Sequence, residues 1–429
     1  MRPPSSADPG EQRRRARRRL RFVTPQNASK VLRHDRYWSS AFWALLLEEC
    51  RWRRLTDPAA ACALARHGPA LVARIGELAE ASRRSGGARG GRRPELFSSD
   101  VAQHSALVRS WSVLADCERL AGSLEAARTA LSRAVDAART ARRVQIVAAC
   151  ELTRQRALFD LSAGSSAGAS VALAELPGTL REALARDGSN DEIALAHAEG
   201  LLVLASLPRQ FQVAASGAPE RPALLCECAA FARPRHRLGS PIFDAALDAL
   251  DRSLDGSRPA PGVLEASGRW LRQARRQPFR RGEKLRRLRL SWAEGRVLSL
   301  LGIGRLAERR LERCQRGLGD LGPGEGRGEP GLYALATLDL ALLDIGRDDR
   351  PTASKRLGDA LGVLQGTGAE REVFEILRQA RRASFDSLLV FRRRLGRRIL
   401  PETSPAWLPS PTVAQDGAAW STPSCGGVA

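Results

Sequence analysis

An all-α fold of short helices in antiparallel pairs is what the sequence predicts, and three observations predict it. Between about residues 30 and 398 the composition is dominated by Ala, Leu, Arg and Glu, the good helix formers. Alternating Val/Ile/Thr runs, the mark of strands, are missing. The helical stretches are short and punctuated by Gly, Pro, Asp and Ser. The chain has 429 residues, of which 43% are hydrophobic, so it carries enough apolar side chain for a real core. No apolar run approaches the ~18 residues of a spanning helix, so no membrane span is expected.

Residues 1–29 read as a disordered basic arm. Arg13, Arg14, Arg15, Arg17, Arg18, Arg19 and Arg21 crowd into it, either as a solvated leader or as a grip on phosphates or anionic lipid. The adjoining segment, Phe22-Val23-Thr24-Pro25-Gln26-Asn27, is too short and polar for the apolar part of a signal peptide, and a cytoplasmic location is expected. A first helix is predicted from about Tyr37 to Arg54. Thr56-Asp57-Pro58 then marks a start: a capping side chain followed by Pro at the first helical position. A second helix is predicted through Leu64, Leu71, Val72 and Ile75, antiparallel to the first across a short link.

The stretch Ala106 to Ala138 is the most informative. Trp111 and Leu114 lie on a first helix, followed by the small Ala115; Gly122 breaks the chain; Ala127, Leu131 and Ala134 recur at four and three on a second helix. The large residue fills the space between helices, the alanines let backbones approach, and Gly supplies a turn conformation other residues resist. From Leu285 to Leu318 the places are taken by Trp292, Gly295, Gly302, Ala307 and Leu311, with Cys314 for the last alanine. A third unit from Leu335 to Leu364 has Leu338 and Leu342, a turn at Gly346 lengthened by about two residues (Asp348 to Pro351), then Ala353, Leu357 and Ala360. Similar pairs are predicted at 38–80 and 144–176, and the helices at about 369–381 and 384–396 would cap the series. The section from about Pro208 to Pro261 departs most from the pattern.

This pattern resembles the degenerate tetratricopeptide repeats of bacterial proteins, whose period is about 34 residues. The resemblance implies that residues 30–398 form a right-handed α-solenoid, a superhelix of antiparallel pairs in which first helices line a concave groove. It also implies groove positions at Ser112, Asp116, Arg119, Trp292, Arg296 and Ser299, which would hydrogen-bond and charge-pair with a peptide or helix of a partner protein. Residues 399–429, rich in Pro, Ser, Thr and Gly, read as a disordered tail.

Catalytic patterns lack their context. Gly164-Ser165-Ser166-Ala167-Gly168 has the spacing of a nucleophile elbow, but a helix precedes it where a strand is needed. Gly326-x-Gly328-x-x-Gly331 lies in a Gly/Pro-rich linker with Pro330 inside it. His197-Ala198-Glu199 lacks the Pro-Cys-x-x-Cys of zinc deaminases, and none of the lysines sits in a phosphate-binding loop. The eight cysteines, Cys226 and Cys228 included, show no second pair at zinc spacing. No enzyme activity, cofactor or metal is therefore expected.

The charge remains. There are 69 Lys+Arg against 47 Asp+Glu, a net charge of +22, and only Lys30, Lys284 and Lys355 are lysines, as G+C-rich coding produces. From Arg269 to Arg289 ten basic residues meet one acid, with Trp270 and Phe279 interleaved; Arg378 to Arg398 holds eight arginines. The expected function is a scaffold or adaptor whose protein partner is acidic. The alternative is a nucleic-acid or anionic-surface binder using the arm and the 269–289 patch.

Overall fold

The computed structural model describes residues 9–84, 97–141, 143–164, 166–186, 190–206, 220–255, 259–279, 283–320, 330–364 and 385–399. Among these residues the regular structure is entirely helical. The helix expected at 369–381, the tail beyond Ile399, Cys425 and the glycines at 326 and 328 lie outside them. The helices form two compact units.

The first unit reaches through Arg186. It opens with α1 (Pro9–Leu20), where a disordered arm was expected. Ala16 is buried in the hydrophobic core that α3 (Ser40–Arg53) helps to build, with Leu20 packed against it, so the segment has a small apolar stripe that orders it despite its arginines. A single turn, α2 (Ala28–Val31), comes between them. The predicted second helix is two helices, α4 (Pro58–Ala65) and α5 (Gly68–Arg84). Pro69 explains the break, since it offers no N–H to the carbonyl four residues back. The predicted start is as read: Asp57 Oδ1 accepts the Ala60 N–H at 3.0 Å, and Pro58 leads the helix.

Next come α6 (Asp100–Leu120) with α7 (Leu124–Thr140), and α8 (Ile146–Ser162) with α9 (Ser166–Arg186). Each pair packs within itself, and α6 and α7 both pack on α8. The seam is the predicted one: Leu114, Ala115, Ala127, Leu131 and Ala134 are buried, and Trp111 is half-buried against the same core.

The second unit contains α10 (Asp191–Ser206), α11 (Arg221–Phe231), α12 (Gly239–Leu254), α13 (Pro261–Arg275), α14 (Lys284–Leu300), α15 (Gly304–Gly319), α16 (Pro330–Gly346), α17 (Arg350–Leu364) and α18 (Phe385–Ile399). Pairing is regular for α14 with α15 and α16 with α17. A Cβ at Gly295 would stand 2.8 Å from Leu311 Cγ, so glycine is what lets α14 and α15 approach there. In the irregular middle, α11 packs on α10, α12 and α13, and α12 reaches α14. Last, α18 packs on α16 and on α12, so that α12, α14, α16 and α18 enclose one another in sequence.

The turns share one device. After α6, Gly122 has φ +82°, its N–H reaches the Arg119 carbonyl at 3.1 Å, and the Ser123 N–H reaches Glu118 at 2.8 Å. After α14, Gly302 (φ +78°) and Ile303 repeat this onto Ser299 and Leu298. These are Schellman caps, which satisfy the last carbonyls of a helix. After α16 the left-handed residue is Asp348 (φ +62°), with Asp348 and Asp349 donating to Ile345 and Asp344. Gly346, expected to form this turn, is the last residue of α16; the aspartate two places on does so, because a short polar side chain tolerates the left-handed region.

A Cβ at Gly122 or Gly302 would meet nothing within 4 Å, so alanine there adds backbone strain alone. Gly122→Ala and Gly302→Ala should each lower unfolding free energy by about 1–2 kcal/mol in urea titrations. Asp348→Gly should change it by less than about 0.5 kcal/mol. Equal losses at all three positions would contradict the backbone origin of the effect.

Candidate functional site

Two buried clusters of arginine and carboxylate, one in each unit, gather the chemistry of the first helices. In the first unit Asp116 of α6 is 1% exposed. It takes an ion pair from Arg54, which caps the C-terminus of α3, and accepts Arg119 Nη2 at 2.7 Å. Arg119 also donates to the Ser162 hydroxyl at the end of α8, at 3.4 Å. One turn away, Glu151 of α8 is paired with Arg51 of α3, accepts Arg109 Nε of α6 at 3.3 Å, and lies 3.9 Å from Arg154. The Arg109 guanidinium sits 5.6 Å from the centre of the Trp43 ring, whose Nε1 donates to Ser110 at 2.8 Å. Five arginines thus surround two carboxylates on α3, α6 and α8.

Burial pushes the Asp116 carboxyl up, but the Arg54 and Arg119 guanidiniums outweigh it and hold it down to about 2. Burial likewise opposes ionisation of Glu151, and Arg51, Arg109 and Arg154 overcome it, so its value falls below the ordinary one. Both carboxylates are therefore kept charged by the arginines they join.

The second cluster centres on Arg392 of α18, which is 0% exposed. Its Nε donates to Asp339 Oδ1 of α16 at 3.0 Å, Nη2 to Asp251 Oδ1 of α12 at 2.7 Å, and Nη1 to both Asp255 oxygens at 2.8 Å. From α14, Arg296 pairs with Asp251 and donates to Asp255 Oδ1 at 2.7 Å, while Trp292 Nε1 donates to Asp339 Oδ2 at 2.6 Å. The Trp292 ring lies 5.5 Å from the Arg392 guanidinium. Burial works against the charge of Arg392, and the carboxylates of Asp251, Asp339 and Asp255 more than restore it.

The expected groove residues are accordingly not open. Ser112, Asp116, Arg119, Trp292 and Arg296 are buried, and the Ser112 hydroxyl has no hydrogen-bond partner among the described residues. Ser299 is half-buried and its carbonyl serves the cap at Gly302. The charge pairing expected toward a bound segment is, for Asp116, Arg119 and Arg296, made inside the chain. The partners overlooked in the sequence were Arg51, Arg54, Arg109, Glu151, Asp251, Asp255, Asp339 and Arg392. One signal was present: Asp244, Asp248, Asp251 and Asp255 recur at four, three and four, one stripe of α12. It faces Arg286, Arg289 and Arg296 of α14: Arg286 Nη2 lies 2.7 Å from Asp244, and Arg289 pairs with Asp248.

Those pairs also change the reading of the 269–289 patch. Phe279 is buried against Phe243 with centroids 5.7 Å apart and belongs to the interior, while Trp270 is half-buried against Phe231 at 5.6 Å. Arg269, Arg272 and Arg276 remain exposed. On α1, Arg13 pairs with Glu48 at 3.0 Å, Arg15 with Glu11, and Arg19 donates to the Arg36 carbonyl, while Arg14, Arg17 and Arg18, and Arg21 just beyond the helix, are exposed.

The other motifs sit in helical surroundings. Gly164 closes the turn after α8 and Ser166 begins α9, a helix–turn–helix link. His197 is buried, its Nε2 2.9 Å from Glu227 Oε1 and its ring packed edge-on to Phe231. Cys228 Sγ donates to the Ala198 carbonyl at 3.1 Å, and burial pushes the Cys226 thiol up to about 12. Among the described residues no three His, Cys, Asp or Glu are grouped to hold a metal.

Because Asp116 has a folded pKa below its unfolded value, its stabilisation is complete above about pH 4 and disappears as pH falls toward 2. Urea unfolding between pH 5 and 2 should lose on the order of 2 kcal/mol from this group. Asp116→Asn should remove that part of the pH dependence and, by stranding Arg54 and Arg119, cost about 3–5 kcal/mol at neutral pH. A variant as stable as the parent would contradict the cluster.

Compared with known proteins, the chain matches no family model, and no curated protein matches it at a significant level.

Proposed function

We propose that the chain is a non-enzymatic scaffold or adaptor, built as a tetratricopeptide-like superhelix, whose first helices hold a helix or peptide of a partner protein. One observation carries this reading: in the second unit α12 and α16 already seat a helix, α18, by an apolar stripe and an ion cluster. Recognition of a helix by a helical face works through this combination of spaced apolar anchors and matched charge. In the first unit the cluster of α3, α6 and α8 is bordered by the exposed Arg66, and from that edge the reading takes an acidic segment as partner. Among the described residues no helix is long and apolar enough to cross a membrane. Among the described residues seven cysteines are free and buried, which supports a reducing, cytoplasmic setting.

The test uses the full chain and a fluorescent Glu-rich amphipathic peptide, with a Lys-rich peptide as control. Arg51 and Arg66 lie at the accessible edge of the cluster, and Arg66 donates to Glu118 at 2.9 Å. Arg51→Glu with Arg66→Glu should weaken the acidic peptide at least tenfold. Unchanged affinity would remove the assignment of this face.

A second reading has its own observation. Arg14, Arg17, Arg18 and Arg21 recur at three, one and three, and so present one exposed side at α1, suited to a row of phosphates. Random duplex should then bind at ~50 mM salt, and replacing Arg14, Arg17 and Arg18 by Ala should lower the log–log salt slope by about 2–3. Absence of duplex binding at that salt would end this reading.

A further inference from the structure

We propose that α13 and α15 together form a binding surface for the phosphate backbone of duplex nucleic acid, gripped by two rows of exposed arginines. The inference rests on the nucleic-acid reading for the kind of ligand and adds a surface in the second unit that α1 does not supply.

The rows follow from spacing. Arg305, Arg309, Arg313 and Arg316 recur at four, four and three along α15, so they share one side of the helix, and all four are exposed. Arg269 and Arg272 on α13, with Arg276 as its C-terminal cap, recur at three and four and are exposed too. Between the rows stands Glu294 of α14. Its Oε2 lies 3.5 Å from Arg275 Nη1 of α13 and 3.2 Å from Arg310 Nε of α15. Arg275 follows Arg272 by three residues, and Arg310 adjoins Arg309 and precedes Arg313 by three. One carboxylate therefore holds the two rows side by side.

The neighbouring acids are turned elsewhere. On α15, Glu308 pairs with Arg347 at 2.8 Å and Glu312 with Arg356 at 3.4 Å, so both serve the turn after α16 and α17. Glu265 and Asp320 stand at the ends of the rows. Among the described residues, none of the seven row arginines makes an ion pair or a side-chain hydrogen bond. The fold thus gives these guanidiniums no task, and their charge is uncompensated.

Dimensions then select the ligand. Arg305 to Arg316 spans about 16 Å along the helix axis. One strand of a duplex advances a phosphate every ~3.4 Å, so the four guanidiniums face about five phosphates. Two such rows side by side suit the two phosphate lines that border a groove. A lipid surface is a poorer match. The apolar side of α15, Ala307, Leu311, Cys314 and Leu318, is buried in the core and cannot enter a bilayer. A grip made of phosphate contacts carries no base sequence, so binding should be independent of sequence.

The experiment uses the full-length chain and a fluorescent random-sequence DNA duplex, titrated by anisotropy between ~50 and ~200 mM salt. Replacing Arg305, Arg309, Arg313 and Arg316 together by Ala should weaken binding at least tenfold at the lower salt and reduce the log–log salt slope by about 3–4. Replacing Arg269, Arg272 and Arg276 together by Ala should reduce it by about 2–3. Lys at the four α15 positions should keep the slope within about one of the parent, since a phosphate contact needs the charge. Urea unfolding of these variants should match the parent, which separates lost contacts from lost fold. A parent-like slope in both Ala variants would overturn the proposal. A slope that falls only on replacing Arg14, Arg17 and Arg18 would overturn it too, while leaving the α1 reading in place; a slope that falls only with the α13 and α15 variants would do the reverse. A parent chain that binds no duplex at ~50 mM salt ends both. Vesicles of phosphatidylserine and phosphatidylcholine, or the Glu-rich peptide, bound as tightly as the duplex and lost in the same variants, would assign the surface to a membrane or a protein and overturn the proposal.

Discussion

A guanidinium removed from water is tolerable only where carboxylates take its donors, and both units are arranged around that constraint. In the first, Arg54 and Arg119 close on Asp116 while Arg51 and Arg109 close on Glu151. In the second, Arg296 and Arg392 divide Asp251, Asp255 and Asp339 between them. Each carboxylate is shared by side chains from different helices, so each cluster fixes the register of its neighbours as the apolar seam cannot. Leucine and alanine surfaces tolerate sliding by a methylene; a fork on a carboxylate does not.

The seams supply the cohesion that the clusters organise. Ala127 and Ala134 vanish from solvent against α6, and Ala307 and Leu311 do the same against α14. The left-handed cap then reverses the chain in three residues, which brings the second helix back over the first. Gly122, Gly302 and Asp348 play this part at the turns after α6, α14 and α16. Local backbone chemistry, small-residue spacing and buried charge therefore agree on the same paired helices, which is the consistency a single native arrangement requires.

Much of the pairing was legible in the sequence. The period from Trp111 to Ala134 and its echo from Trp292 to Leu311 mark helices, turns and seam, because helical spacing and turn residues are local signals. Asp57 and Pro58 placed a helix start to the residue. The divergences have physical causes. Arg13 to Arg21 hid the order of α1 because one small apolar stripe suffices to dock a helix whose other faces are charged. Arg119 and Arg296 stand where the resemblance implies groove residues, but no local pattern says whether an arginine faces water or, as Arg296 does, a carboxylate 45 residues away. Arg392 and Asp251 are 141 positions apart, and only the return of α18 brings them together.

The fork geometry has a consequence for what this polypeptide could become. Rewriting every arginine as lysine would preserve the formal charge of +22, the apolar pattern and nearly all the helix propensity. The rewritten chain would still spell paired helices to any reader of periodicity. Yet its interior ammoniums would each leave acidic oxygens on a neighbouring helix without a donor. A genome that drifts toward A+T-rich coding would thus erode this protein from its charged interior outward, long before its hydrophobic rhythm was lost.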